Sequence, residues 1–323
     1  MAVHKVEAIS FPNAQGLALF GTLHAPARPV AGLPVVVLLS PGVKMRVGPG
    51  RLYVPLTQML LERGFSVLRF DFFGLGDSEG ELAETLLADV YNNIEVGRYV
   101  DDTLHALAWL RQRGHQKFIV GGLCGGAITA LLAAQRDPAV EALLSLGMTV
   151  TLASNAAVPG KYLTRVQLDR RRDKYLRKIF SPQAWLRFLS FKSEYSVIWH
   201  SMKRLWAPKK APPPSAAPQA VGAPGAPPQP IEQRGNANPL FPPAYFAFLE
   251  RGGHALMMFS EKDRLQSEYE EKFAEPFAPK LAPYLAQIHK HVIANSNHVM
   301  SLHEWQREMV DVCRAWTQSR YAV

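Results

Sequence analysis

The chain has 323 residues, 48% apolar and 20% charged, which is enough for a full core and excludes a disordered or fibrous protein. Two cysteines are too few for a disulfide framework, and no apolar run reaches the ~18 residues that a membrane-spanning helix needs. The net charge of +9 is local, because Lys161–Lys210 holds 14 Lys/Arg against 3 Asp/Glu and leaves the rest at −2. A charge-driven partner is therefore expected at that segment. No charged-then-apolar leader with a small-residue cleavage site opens the sequence, so no signal peptide is expected and a reducing cytoplasm is the predicted location.

A strand-like run starts by residue 6, and Leu17–Leu23 and Val35–Ser40 are predicted strands, the second continuously apolar as in a buried parallel sheet. Val54–Arg63 has helical spacing and ends at Gly64, and Ser66–Phe70 is the next strand, running into Asp71 and Gly74-Leu75-Gly76. A helix is predicted over Val96–Gln112, a strand over Phe118–Gly121, a helix over Ala127–Gln135 and a strand over Ala142–Leu146. The pattern resumes with a strand at Ala255–Phe259, a helix, a last strand at His291–Ala294 and the helix Glu304–Thr317. This alternation predicts an α/β fold, a mostly parallel central sheet with helices on both faces, formed by 1–150 and 250–323. Between them, 151–206 reads as a basic, aromatic helical cap and 232–249 as its return segment. The tract 207–231 holds nine of the 25 prolines, too many for a packed element, and is expected to be a flexible linker.

The sharpest motif is Gly122-Leu123-Cys124-Gly125-Gly126, placed directly between a strand and a helix. This is the pattern G-x-nucleophile-x-G, with cysteine where serine is usual. A sharp strand-to-helix turn lifts the nucleophile above the sheet, and side chains two before and two after it would clash, so Gly122 and Gly126 are needed. The helix start behind Cys124 places a positive partial charge near the sulfur, and the N–H of Gly125 can serve an oxyanion. The competing reading is a buried cysteine in a glycine-rich turn, and the flanking strand and helix favour the nucleophile.

A thiol so placed needs a base, and the base needs an orienting acid. Where a nucleophile sits on such an elbow, acid and then histidine follow on loops after late strands. Of the ten histidines, only His298 lies just beyond the last predicted strand and before the terminal helix. Phe259-Ser260-Glu261-Lys262-Asp263 ends the strand after the cap, and Asp263 is the chosen acid, with Glu261 on the same loop as its alternative. Asp263 could also serve as the N-cap of the next helix. The second oxyanion donor is assigned to the N–H of Val43, because Gly42 in Ser40-Pro41-Gly42-Val43 lets the backbone come close. Asp71, Gly74 and Gly76 are assigned a structural role in a neighbouring loop.

Arg69-Phe70-Asp71, Gly74-Leu75-Gly76-Asp77-Ser78-Glu79-Gly80, the cysteine elbow, Asp263 and His298 together resemble the α/β-hydrolase superfamily, in its serine-aminopeptidase-like and lysophospholipase-like branch. Within it, Gly122 to Ala127, Tyr175-Leu176-Arg177-Lys178, Ser181-Pro182 and Trp185 look like the exosortase-associated hydrolases, bacterial proteins thought to serve polysaccharide export and protein sorting. The resemblance implies an esterase-like activity and a cap over the site. Most of the superfamily uses serine; cysteine there is similar to dienelactone hydrolases and polyester synthases. The synthases carry a tryptophan motif where this chain reads Phe72-Phe73-Gly74.

The expected reaction is hydrolysis of an acyl ester or thioester through a Cys124–His298–Asp263 triad and an acyl-cysteine. Two alternatives stand beside it. One is an acyltransferase using the same residues; the other is a non-catalytic partner protein that docks through the basic cap. The substrate is expected to be a small-molecule or lipid-like acyl compound. The cap's charge could hold an anionic substrate, an acidic partner or anionic lipid at the inner face of the membrane. No nucleic acid partner is expected, since no binding module accompanies the charge. No metal and no organic cofactor are expected, for want of a ligand cluster or a dinucleotide fingerprint.

Overall fold

Short apolar strands separated by turns assemble into one eight-stranded sheet. The computed structural model describes residues 4–152 and 236–321. Its strands are Lys5–Pro12 (β1), Ala18–Ala25 (β2), Val35–Leu39 (β3), Val67–Phe70 (β4), Phe118–Leu123 (β5), Val140–Leu146 (β6), His254–Ser260 (β7) and Ile288–Ile293 (β8). Their spatial order is β1-β2-β4-β3-β5-β6-β7-β8. The β1–β2 and β2–β4 pairs are antiparallel, and every pair from β4 to β8 is parallel. β3, β4 and β5 are buried at every residue, which explains the unbroken apolar run of β3 and leaves Arg69 as the one charged residue among the three; β1, at the edge, alternates toward solvent.

Helices cover both faces, and the two-residue period of the strands sorts their side chains between them. Val35, Val37 and Leu39 pack in a core shared with Val100–Gln112 (α3), Gly125–Arg136 (α4) and Phe241–Glu250 (α5). Val36 and Leu38 pack on the other side with Tyr53–Glu62 (α1) and His303–Arg320 (α7). No described helix is long and apolar enough to cross a membrane.

Three features depart from the sequence reading. The expected helix Val96–Gln112 is α3 alone, preceded by a separate helix, Leu87–Glu95 (α2). Gly97 divides them at φ 105°, where its N–H donates to Ile94 and the N–H of Arg98 donates to Asn93. The last strand begins at Ile288 rather than His291, because its polar residues His289, Lys290 and His291 stand at an edge where water reaches them. α5, expected in the return of the cap, is instead a core helix: Tyr245, Phe248 and Leu249 are buried in the α4 side, and Phe241 meets Phe273 edge-on at 4.7 Å. The cap residues 153–206, the linker 207–231 and the return residues 232–235 lie outside the described residues, as do Tyr175 to Trp185.

One buried polar contact links the antiparallel part to β4. His24 Nε2 accepts from Arg69 Nη2 at 2.9 Å and lies 3.0 Å from Thr22 Oγ1, with His24 and Arg69 both buried. Burial, and then the neighbouring guanidinium, depress the imidazole to a pKa of about 4. The folded chain thus favours neutral His24, so this stabilisation is complete above pH ~6.5 and is lost as pH falls through 4. The midpoint of thermal unfolding should drop more steeply between pH 7 and 4 in the native protein than in His24→Gln. Equal slopes would remove His24 as the titrating group.

Candidate active site

β5 runs straight into Cys124, and α4 begins at the next residue. Cys124 has φ 55° and ψ −113°, a conformation that costs a non-glycine residue on the order of 1–3 kcal/mol. The surrounding glycines allow it. A Cβ on Gly122 or on Gly126 would lie 2.7 Å from the carbonyl oxygen of Leu39, inside any real contact. Cys124 donates its N–H to Leu146 at 2.9 Å, and its side chain stays partly accessible. Cys313 differs: it is fully buried in α7, and burial pushes its thiol far up.

His298 and Asp263 meet as expected. The Nδ1–H of His298 donates to Asp263 Oδ2 at 2.5 Å, and Cys124 is near enough to the ring to act on its basicity. With Nδ1 on the carboxylate, Nε2 is the nitrogen left for the sulfur. The Asp263 bond, and then the neighbouring Cys124 side chain, raise the imidazole to about 10 against the cost of its burial. Asp263 also caps Arg264–Tyr269 (α6), its Oδ1 accepting the N–H of Arg264 at 2.7 Å. An imidazole bond and a helix cap therefore coexist on its two oxygens. The alternative acid, Glu261, turns elsewhere and accepts the N–H of Asn295 at 2.6 Å.

That bond is part of a backbone strap with no signature in the residue pattern. Lys262 N–H donates to Ser296 C=O at 3.0 Å, and the fully buried Ser296 hydroxyl donates to Ile293 at 2.8 Å. The loop carrying His298 is thereby tied to the loop carrying Asp263, and Asn295 (φ 56°) and Met300 (φ 49°) make its sharp bends.

The loop after β3 forms the opposite wall. Lys44 N–H closes a tight turn on Pro41 at 3.1 Å with Gly42 at φ 58°. The N and Cα of Gly42 lie 3.2 Å from the point where a Gly125 side chain would begin, so the Gly42-Val43 backbone abuts the start of α4. The N–H of Gly125, in the first turn of that helix, has no acceptor within the helix. Tyr91 of α2 lays its ring over Gly42, whose Cβ would come 2.8 Å from the ring. Burial, and then the nearby Cys124 sulfur, raise its phenol. Tyr91 escapes sequence patterning because α2 itself does.

Asp71, Gly74 and Gly76 take the structural role expected. Asp71 is fully buried, accepts the N–H of Arg46 at 2.6 Å and pairs with the Arg46 guanidinium. Arg46 also reaches Asp77 at 2.7 Å, which locks the loop after β3 to the loop after β4. A side chain on Gly76 would overlap the Asp71 carboxylate.

A mostly parallel sheet with a cysteine-bearing elbow at the end of its fifth strand, and an Asp–His pair on the loops after its last two strands, has the architecture of the hydrolase class. Residues 36–312 match the model of the alpha/beta hydrolase family, and the chain belongs to that family. Among solved structures it is similar to an esterase of Pyrococcus furiosus, at 13% identity and a TM-score of 0.55 over 98% of this chain and 91% of the other. It is also similar to a hypothetical protein of Pseudomonas aeruginosa, at 18% identity and a TM-score of 0.53 over 99% and 94%. At these identities the likeness is one of fold. No curated protein sequence matches the chain.

The raised imidazole carries a pH signature. Because the folded pKa of about 10 lies above the unfolded value, His298 stabilises the fold fully below pH ~6.5 and loses this contribution as pH rises through 10. Asp263→Asn removes the largest cause of the shift while keeping a residue that caps helices well. The decline in thermal midpoint between pH 6.5 and 10 should be shallower in this variant than in the native protein. An unchanged decline would show that the Asp263 bond does not set the imidazole's affinity for its proton.

Proposed function

We propose that the protein hydrolyses acyl esters or thioesters through a covalent acyl-Cys124 intermediate. The observation that carries this is the Asp263–His298 hydrogen bond set beside Cys124, whose sulfur is near enough to raise the imidazole and stands on a positive-φ elbow at the start of α4. His298 accepts the thiol proton at Nε2 while Asp263 holds the ring through Nδ1. The sulfur attacks the substrate carbonyl, and the N–H groups of Val43 and Gly125 receive the oxyanion. When the tetrahedral adduct collapses, the bond to the leaving oxygen or sulfur breaks and that atom takes the proton from His298. Water then enters, gives a proton to His298, and attacks the thioester. The acid departs, and the proton returns to Cys124.

Cysteine suits this cycle because its intermediate is a thioester, an activated acyl group that water resolves. Membership of the alpha/beta hydrolase family supports ester hydrolysis in general. The elbow motif is our reason for proposing the exosortase-associated group within that family, with an acyl substrate of lipid-like or small-molecule kind.

Native protein should release free acid from p-nitrophenyl esters and acyl thioesters of graded length, and mass spectrometry after rapid quenching should find the acyl group on the peptide carrying Cys124. Cys124→Ala and His298→Asn should each lower kcat by about 10³-fold or more. Turnover preserved in Cys124→Ala would exclude the cysteine as nucleophile. Acyl groups passing to an added alcohol, amine or thiol in preference to water would replace hydrolysis by transfer.

A further inference from the structure

Beneath the elbow, one side chain joins the two halves of the proposed oxyanion site. Tyr53 is the first residue of α1 and is fully buried. Its hydroxyl donates to the carbonyl of Leu39 at 2.9 Å and accepts the N–H of Leu123 at 2.7 Å. Leu39 ends β3 and leads through Ser40-Pro41-Gly42 to Val43; Leu123 ends β5 and immediately precedes Cys124 and Gly125. β3 and β5 are neighbours in the sheet, but their paired register ends at Leu39 and Gly122. The next link between the two chains is the Tyr53 oxygen.

The Leu39 carbonyl is also the atom that Gly122 and Gly126 approach so closely that neither could carry a side chain. One hydroxyl thus holds the oxygen against which the elbow is packed and the amide that leads into the nucleophile. Burial raises the phenol far above its ordinary value, so the hydroxyl keeps its proton and donates and accepts at once.

We propose that Tyr53 is a positioning residue that fixes the spacing between the Val43 and Gly125 N–H groups, and so sets how well the site stabilises an oxyanion. This rests on the reading of Cys124 as an acylated nucleophile. It adds to that reading a residue that never touches the substrate, acting through the backbone on both sides of the hole. Removing the hydroxyl leaves the Leu123 N–H and the Leu39 carbonyl buried without their partner and frees the two strand ends to shift. Oxyanion donors act through placement at the sub-ångström level, so the effect belongs to the acyl-transfer step.

The test compares two reactions of the same sulfur in Tyr53→Phe. Alkylation by iodoacetamide needs the nucleophile but passes through no oxyanion, whereas acylation by a p-nitrophenyl ester needs both. The expected result is a fall of about tenfold or more in the acylation rate, with alkylation of Cys124 changed less than about twofold. The KM for the ester should stay near the native value. Tyr99→Phe removes a buried hydroxyl that has no partner, and both rates should stay native there. Should Tyr53→Phe be too unstable to assay, Tyr53→p-aminophenylalanine retains a donor at the same place and should recover most of the native ratio of acylation to alkylation. A ratio equal to native in Tyr53→Phe, or a parallel loss of both reactions, overturns the proposal while leaving the nucleophile in place. A native protein that forms no acyl-Cys124 overturns the underlying reading, and this one with it.

Discussion

At the end of β3 the carbonyl of Leu39 stands so close to β5 and α4 that no side chain fits at Gly122 or Gly126. Much of the site's arrangement follows from that approach. It lets α4 start directly behind Cys124, which places the unpaired N–H of Gly125 beside the sulfur rather than a turn away. It brings the backbone of Gly42 against Gly125, so that two loops far apart in sequence share one small volume. It also requires something to hold the carbonyl, and the buried Tyr53 hydroxyl does so.

The histidine side is built by different means. β7 and β8 end next to each other in the sheet, and their following loops are stitched together by Glu261, Lys262 and Ser296. This stitching combines the main-chain bond from Lys262 to Ser296 with the Glu261 carboxylate and the Ser296 hydroxyl, and together they fix the position of His298. The imidazole's gain in basicity then comes first from one well-aimed carboxylate and next from the neighbouring Cys124 side chain. Rigid support from one side of the sheet meets rigid support from the other at one sulfur atom.

The parts legible in the sequence are those where chemistry leaves little choice. Glycines flanking a lone cysteine between strand and helix fit few arrangements besides an elbow, and a histidine just past the last strand has few uses other than as its base. Runs without a charged residue mark β3 and β5 because both of their faces are covered. α2 escapes the pattern because Leu86 and Leu87 are exposed and blur its apolar face, while Gly97, which separates α2 from α3, reads as part of one longer helix. Tyr53 is equally hidden, since an aromatic residue on a buried helix face reads as core; only the position of its oxygen distinguishes it. The strap around Ser296 is invisible because each of its side chains, Glu261 and Ser296, bonds a main-chain group, and a residue pattern does not show which main-chain group a side chain will meet.

Asp263 has both oxygens engaged, one on the first amide of α6 and the other on the imidazole. A longer acid could satisfy one of these partners but would overshoot the other, and a small neutral residue would satisfy neither. Two independent pressures, starting a helix and holding a charge, therefore converge on a single two-carbon side chain. Such a position has little room to drift: a change that relieved one demand would at once be paid for by the other, whatever acyl group the site handles.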